Sequence, residues 1–234
     1  MRMMRVRTGL RKDAAMRRLV ARSADRLRAA FGRPRPGRAL PPIDELVLTI
    51  LSQNTSDTNS GRAFAALRRR FPAWVDVARA RRREIEAAIR PGGLARLKSG
   101  VIRDTLRRVE RERRAFDLGF LNRLPVPEAL AWLRRFRGVG EKTACCVLLF
   151  GCRRPAFPVD THILRVTRRL GWIPSAADAA LAHRRLAALV PVRRYYEVHV
   201  NLITLGRRLC RPRRPRCVDC PLNRDCRNAA IPTL

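Results

Sequence analysis

Three groups of residues in this chain have types and spacings that could do chemistry. The first is a run of four cysteines near the C-terminus, Cys210-x6-Cys217-x2-Cys220-x5-Cys226. Four thiolates in one short loop can hold one metal centre. The spacing departs from the zinc patterns that pair two short half-sites. It also departs from the bacterial ferredoxin run, where three cysteines follow at two-residue intervals. On spacing alone, a disulfide pair or a zinc knuckle stays open. The second group is built around Lys142. Among 52 basic residues the only lysines are Lys12, Lys98 and Lys142. Arginine supplies charge as well as lysine does but cannot form a Schiff base; a lysine amine can, once its pKa is lowered. Lys142 follows Phe136-Arg137-Gly138-Val139-Gly140-Glu141. Two glycines one residue apart permit a tight turn and leave backbone N–H groups uncovered at the start of the next helix. Such a turn grips a phosphate without reading sequence. The positive helix end and partial burial both push the amine toward its neutral form. The third group is Pro158-Val159-Asp160-Thr161-His162. Asp160 is placed to cap a helix, and a carboxylate fixed there stays ionised and can stabilise a developing cation. His162, His183 and His199 read as structural, since no nucleophile or metal partner accompanies them.

These residues need elements to position them, and the pattern is helical throughout. Apolar residues recur at three- and four-residue intervals, with no alternating run that predicts a strand. Helices are expected at 13–31, 43–52, 57–70, 82–89, 97–115, 127–136, 140–151, 160–170, 177–189 and 194–207, separated by proline- and glycine-rich breakers. Cys145, Cys146 and Cys152 lie in an apolar stretch and read as small core residues. No apolar run reaches the length of a membrane span and no secretory signal is evident, so membrane and export roles are not expected. Free thiols suit a reducing compartment. The formal net charge is +33, which attracts polyanions, nucleic acid first. The near-exclusive use of arginine also fits codon bias, so the placement of charge says more than its amount. The first twelve residues are basic and lack an acid until Asp13; a DNA-contacting arm is one reading and a transit peptide another.

Taken together, the cysteine loop, the Gly-x-Gly-x-Lys hairpin and the Val-Asp-Thr-His segment resemble, in order and spacing, the endonuclease III-type DNA glycosylases of the helix-hairpin-helix class. The resemblance runs from about residue 40 to 228. It implies an all-α fold of two domains: a six-helix barrel domain with the hairpin over 40–154, and an iron–sulfur domain combining 1–39 with 155–234. It implies a [4Fe-4S] cluster on Cys210, Cys217, Cys220 and Cys226, structural rather than catalytic. It implies catalysis by Lys142 and Asp160, on opposite walls of a cleft between the domains. The partner would be double-stranded DNA with a damaged base or an abasic site, the protein a monomer, its place the cytoplasm with the nucleoid.

To flip a base, such a protein must fill the hole left in the stack. The family has a glutamine in the loop corresponding to Ile50-Leu51-Ser52-Gln53-Asn54-Thr55-Ser56-Asp57, and here either Gln53 or Asn54 could serve. Leu94, after Gly92-Gly93, resembles a second, apolar wedge, or is a core leucine. Lys98 nearby reads as an exposed helix lysine or a phosphate contact. Arg137, Gly138, Val139 and Gly140 would hold DNA at the hairpin, with Arg137 standing where the family usually has proline. Arg211, Arg213, Arg214 and Arg216, between the first two cysteines, would face DNA from the pinned loop. The activity implied is bifunctional: removal of damaged bases, oxidised pyrimidines above all, then β-elimination through a lysine Schiff base. The alternatives are a monofunctional glycosylase for alkylated or mismatched bases, a non-enzymatic DNA-binding iron–sulfur protein, and a redox-sensing regulator.

Overall fold

The computed structural model describes residues 2–229, with side chains from Asp13 onward. Among the described residues there are helices and turns and no strand, and no helix is long and apolar enough to cross a membrane. The chain divides into two compact units, one of 1–37 with 155–234 and one of Arg38–Arg154.

The unit Arg38–Arg154 is built around α2 (Pro42–Ser52). Proline at its start pre-sets the backbone angle for a first turn. Ile43, Leu46, Val47, Ile50 and Leu51 are all buried, each contributing roughly 1.5–3 kcal/mol of apolar burial. Around it pack α3 (Asp57–Arg70), α6 (Ala95–Arg113) and α8 (Glu141–Cys146). The Ser56 hydroxyl caps α3 by accepting from the Asn59 N–H at 3.2 Å. The remaining helices of this unit are α4 (Trp74–Arg79), α5 (Arg82–Ala88) and α7 (Val126–Arg134). The sequence pattern does not predict α4, because six residues are too few to display a period. It is held by the Trp74 indole, which donates to Asp44 Oδ1 at 2.8 Å. After α8 the chain widens into a π-helical turn, Val147–Gly151, which packs on α2. Cys145, Cys146 and Cys152 are buried as expected.

The other unit contains α1 (Arg2–Phe31), α9 (Thr161–Leu170), α10 (Ala179–Leu189) and α11 (Tyr195–Arg208). Of the first twelve residues, read as a possible basic arm, residues 2–12 belong to α1 in backbone; Met1 and the side chains of this stretch lie outside the described residues. α11 packs against α1 and α9, and its Val198, Leu202 and Leu205 are buried. The Arg28 guanidinium grips the Glu197 carboxylate of α11 at 3.0 and 2.6 Å, and Arg194 adds a bond to it at 2.7 Å. This unit ends in the cysteine loop.

Candidate active site and nucleic-acid interface

Lys142 is the second residue of α8 and half-buried. The hairpin before it is tightly determined. Gly138 has φ +77° and a Cβ there would meet Val101 at 3.1 Å, so both the backbone angle and the space call for glycine. The Val139 N–H closes the turn on the Phe136 carbonyl at 3.1 Å. Gly140 is the exposed N-cap of α8, and no heavy atom would lie within 4 Å of a Cβ built on it. The hairpin thus leaves a bare approach to the first N–H groups of α8, which have no intrahelical acceptor. Arg137 is exposed beside it. The Val139 side chain is buried beneath the hairpin, so the contact expected there is one of the hairpin backbone. The salt bridge of Arg134 with Glu141, at 2.8 Å, ties α7 to α8 across the turn.

Behind Lys142 lies a residue the sequence reading missed. Glu45 of α2 is buried. Burial pushes its carboxyl above the usual value, opposed by a hydrogen bond from Thr49 and by the charges of Lys142 and Arg153. An acid in the first turn of an otherwise apolar helix was the available signal, and it reads equally as a partner for the helix dipole.

The two amides of the polar loop are distinguished by geometry. Gln53 Nε2 donates to the Gly138 carbonyl at 2.9 Å and to the Thr143 hydroxyl at 3.2 Å, bracing the loop against the hairpin. Asn54 is exposed with φ +53°. Leu94 is 52 % exposed with φ +48°, so it is not a core leucine. Lys98 is the reverse of the expectation. It is 3 % exposed, and Nζ donates to the Leu51 carbonyl at 2.7 Å and the Gly92 carbonyl at 3.0 Å. Neither an exposed lysine nor a phosphate contact describes it.

Asp160 caps α9: Oδ1 accepts from the Ile163 N–H at 2.7 Å. The segment that presents it is fixed by two buried histidines. His183 Nδ1 lies 3.2 Å from the Phe157 carbonyl and His199 Nδ1 lies 3.0 Å from the Pro158 carbonyl, so in each ring Nδ1 is the donor. His162 Nδ1 is 3.1 Å from Arg165 Nη2.

Cys210, Cys217, Cys220 and Cys226 are half-buried, unpaired by disulfides, and line one cavity of about 170 Å³ walled by Val166, Leu170 and Leu205. Burial raises the thiol pKa of Cys220 and Cys226, and the charges of the neighbouring cysteines add to it. Arg169 Nη1 donates to Cys210 Sγ at 3.5 Å and to the Arg211 carbonyl at 2.7 Å. Among the described residues, no three His, Cys, Asp or Glu side chains are grouped closely enough to hold a metal ion. Arg211, Arg213, Arg214 and Arg216 are all exposed, and Arg216 pairs with Asp219 at 2.7 Å.

Residues 47–191 match the HhH-GPD superfamily of base excision DNA repair proteins. The chain belongs to this superfamily. As an HhH-GPD protein it has relatives that are DNA glycosylases by name. Endonuclease III of Thermotoga maritima is 31% identical over 193 residues, 82% of this chain and 86% of that protein. An Arabidopsis thaliana protein with the provisional name of a DNA glycosylase is 42% identical over 165 residues; the match spans 70% of this chain and 56% of that protein. The fold is that of endonuclease III: a covalent intermediate of that enzyme trapped on DNA matches with a TM-score of 0.77 at 25% identity, over 91% of this chain and 96% of the other.

Proposed function

We propose that this HhH-GPD protein is a bifunctional DNA glycosylase and abasic-site lyase. The observation that carries the reading is the placement of Lys142, half-buried at the second position of a helix opened by the bare glycine hairpin, in a chain with only three lysines among 52 basic residues. The trapped covalent complex of endonuclease III supports the same chemistry by likeness.

DNA is held at the hairpin through the N–H groups of α8 and through Arg137. The damaged base turns out of the stack, and Asn54 fills the gap because its amide is exposed while that of Gln53 is held by Gly138 and Thr143. The Lys142 amine attacks C1′ of the sugar, and the C1′–N bond electrons leave with the base. The Asp160 carboxylate stabilises the positive charge that develops on the sugar. The new C1′ ammonium loses a proton. Its nitrogen lone pair forms the C1′=N iminium as the C1′–O4′ bond breaks and O4′ takes up the proton. Loss of a C2′ proton then expels the 3′ phosphate by β-elimination. Oxidised pyrimidines are the substrate class proposed, on the likeness to endonuclease III.

The cysteine loop fits a [4Fe-4S] cluster. Four unpaired thiols line one partly apolar cavity. A [4Fe-4S] cluster is held by four cysteine thiolates. Cys210, Cys217, Cys220 and Cys226 would be the ligands. The cluster would supply rigidity to the loop that carries the exposed arginines, and no bond-making step.

The test is to follow base release and strand cleavage on one lesion-bearing duplex with one preparation. Both activities should appear in the wild type and vanish together in Lys142→Gln. Base release without cleavage by the wild type would favour a monofunctional glycosylase.

A further inference from the structure

Lys98 is a buried cation that the chemistry above does not use. It is one of three lysines in a chain with 52 basic residues. Burial lowers its pKa, a cost against which the site sets two backbone carbonyls. Those carbonyls are informative by position. Leu51 stands in the last turn of α2, where carbonyls lack helical partners, directly before Ser52-Gln53-Asn54. Gly92 closes a short 3-10 turn, directly before Gly93-Leu94. A Cβ at Gly92 would meet Ala63 Cβ at 2.9 Å, so this turn also sits close against α3.

Downstream of each gripped carbonyl stands a non-glycine residue in the left-handed region, Asn54 at φ +53° and Leu94 at φ +48°. Such angles cost energy and persist where the surroundings over-determine them, most often at sites that act on a ligand. Both residues are exposed. A compact ammonium can direct separate N–H bonds at two carbonyls from one point. A planar guanidinium cannot do so in the same space, which accounts for lysine here in an arginine-biased chain.

We propose that Lys98 is a positioning residue that latches the two loops to each other, so that Asn54 and Leu94 enter the DNA stack as one rigid pair. This rests on the reading of the chain as a base-flipping glycosylase. The latch sets the separation and angle of the two tips before DNA arrives, so that opening the stack does not require ordering two loops at once.

The test uses a duplex with a tetrahydrofuran abasic analogue opposite 2-aminopurine, whose fluorescence reports unstacking with no chemistry involved. Binding is read separately by anisotropy. The wild type should bind and raise the fluorescence. Lys98→Met should hold a similar Kd, since hairpin and phosphate contacts are intact, while its stack-opening equilibrium falls about tenfold, the order expected for losing a charge-assisted hydrogen bond. In a double-mutant cycle, removing the tip by Leu94→Ala should make the loss of Lys98 cost less, because the two act through one another. If Lys98→Met does not fold, Lys98→Arg decides, with the same split at smaller size. Wild-type opening by these variants, or strict additivity with Leu94→Ala, would overturn the latch alone. A wild type that binds without unstacking would overturn the latch and the base-flipping reading together.

Discussion

Gln53 donates from Nε2 to the backbone carbonyl of Gly138 at 2.9 Å, joining the loop after α2 to the hairpin before α8. This single bond separates two neighbouring amides that the sequence leaves equivalent. Gln53 is a brace, and Asn54, one residue on, is the exposed amide. Gln53→Ala should therefore weaken DNA binding generally, by roughly 1 kcal/mol for a hydrogen bond of this kind. Asn54→Gly keeps a residue suited to positive φ and should preserve fold and affinity while slowing base removal. Equal effects of the two substitutions on base removal, measured under single-turnover conditions, would contradict the division of roles.

Asp160 is both a cap and the proposed electrostatic partner of the reaction. Asparagine caps a helix about as well as aspartate, so Asp160→Asn should leave the melting temperature nearly unchanged. Removing the anion should lower kcat by roughly 10²- to 10³-fold, the range seen when a pre-organised electrostatic group is lost. A variant that melts early, or turns over at wild-type rate, would refute the assignment.

Glu45 predicts a pH dependence of stability. Burial raises its carboxyl pKa in the folded chain, so the folded state binds this proton more tightly than the unfolded state. Stability then falls as pH rises from the ordinary value of 4.5 through the raised folded one. Glu45→Gln should melt higher than wild type at neutral pH, with the difference closing below pH 4.5. Parallel curves for the two proteins across this range would show that the carboxyl is not held in this way.

How much was legible beforehand depends on the kind of contact. Long amphipathic helices such as α3, α9 and α11 announce themselves by period, and the Asp160 cap is local, so both can be read from neighbouring residues. α4 could not be read, because its stability comes from the bond between Trp74 and Asp44 across thirty positions. Lys98 was misread for a related reason: its acceptors, in the last turn of α2 and in the 3-10 turn before α6, are brought to it by packing. The sequence places Val139 in a phosphate loop but does not show that its side chain closes the core beneath it. Helical turns are local facts; the partner of a side chain at a distant carbonyl is not.

The cysteine loop makes a prediction visible to the eye. Protein purified without oxygen should be yellow-brown, with absorbance near ~400 nm and iron and sulfide in equal amounts. Cys217→Ser should lose the colour and loosen the loop bearing Arg211, Arg213, Arg214 and Arg216, lowering affinity for DNA with a shallower salt dependence. A colourless wild type with one zinc per chain would contradict the cluster.

The central claim is that Lys142 becomes covalently joined to the sugar. Borohydride reduction during reaction with a duplex carrying one abasic site tests it most directly. The account predicts a stable protein–DNA adduct, with peptide mapping placing the link at Lys142, and no adduct from Lys142→Gln although it still binds the duplex. A wild type that binds the duplex and yields no adduct, or an adduct undiminished in Lys142→Gln, would contradict it.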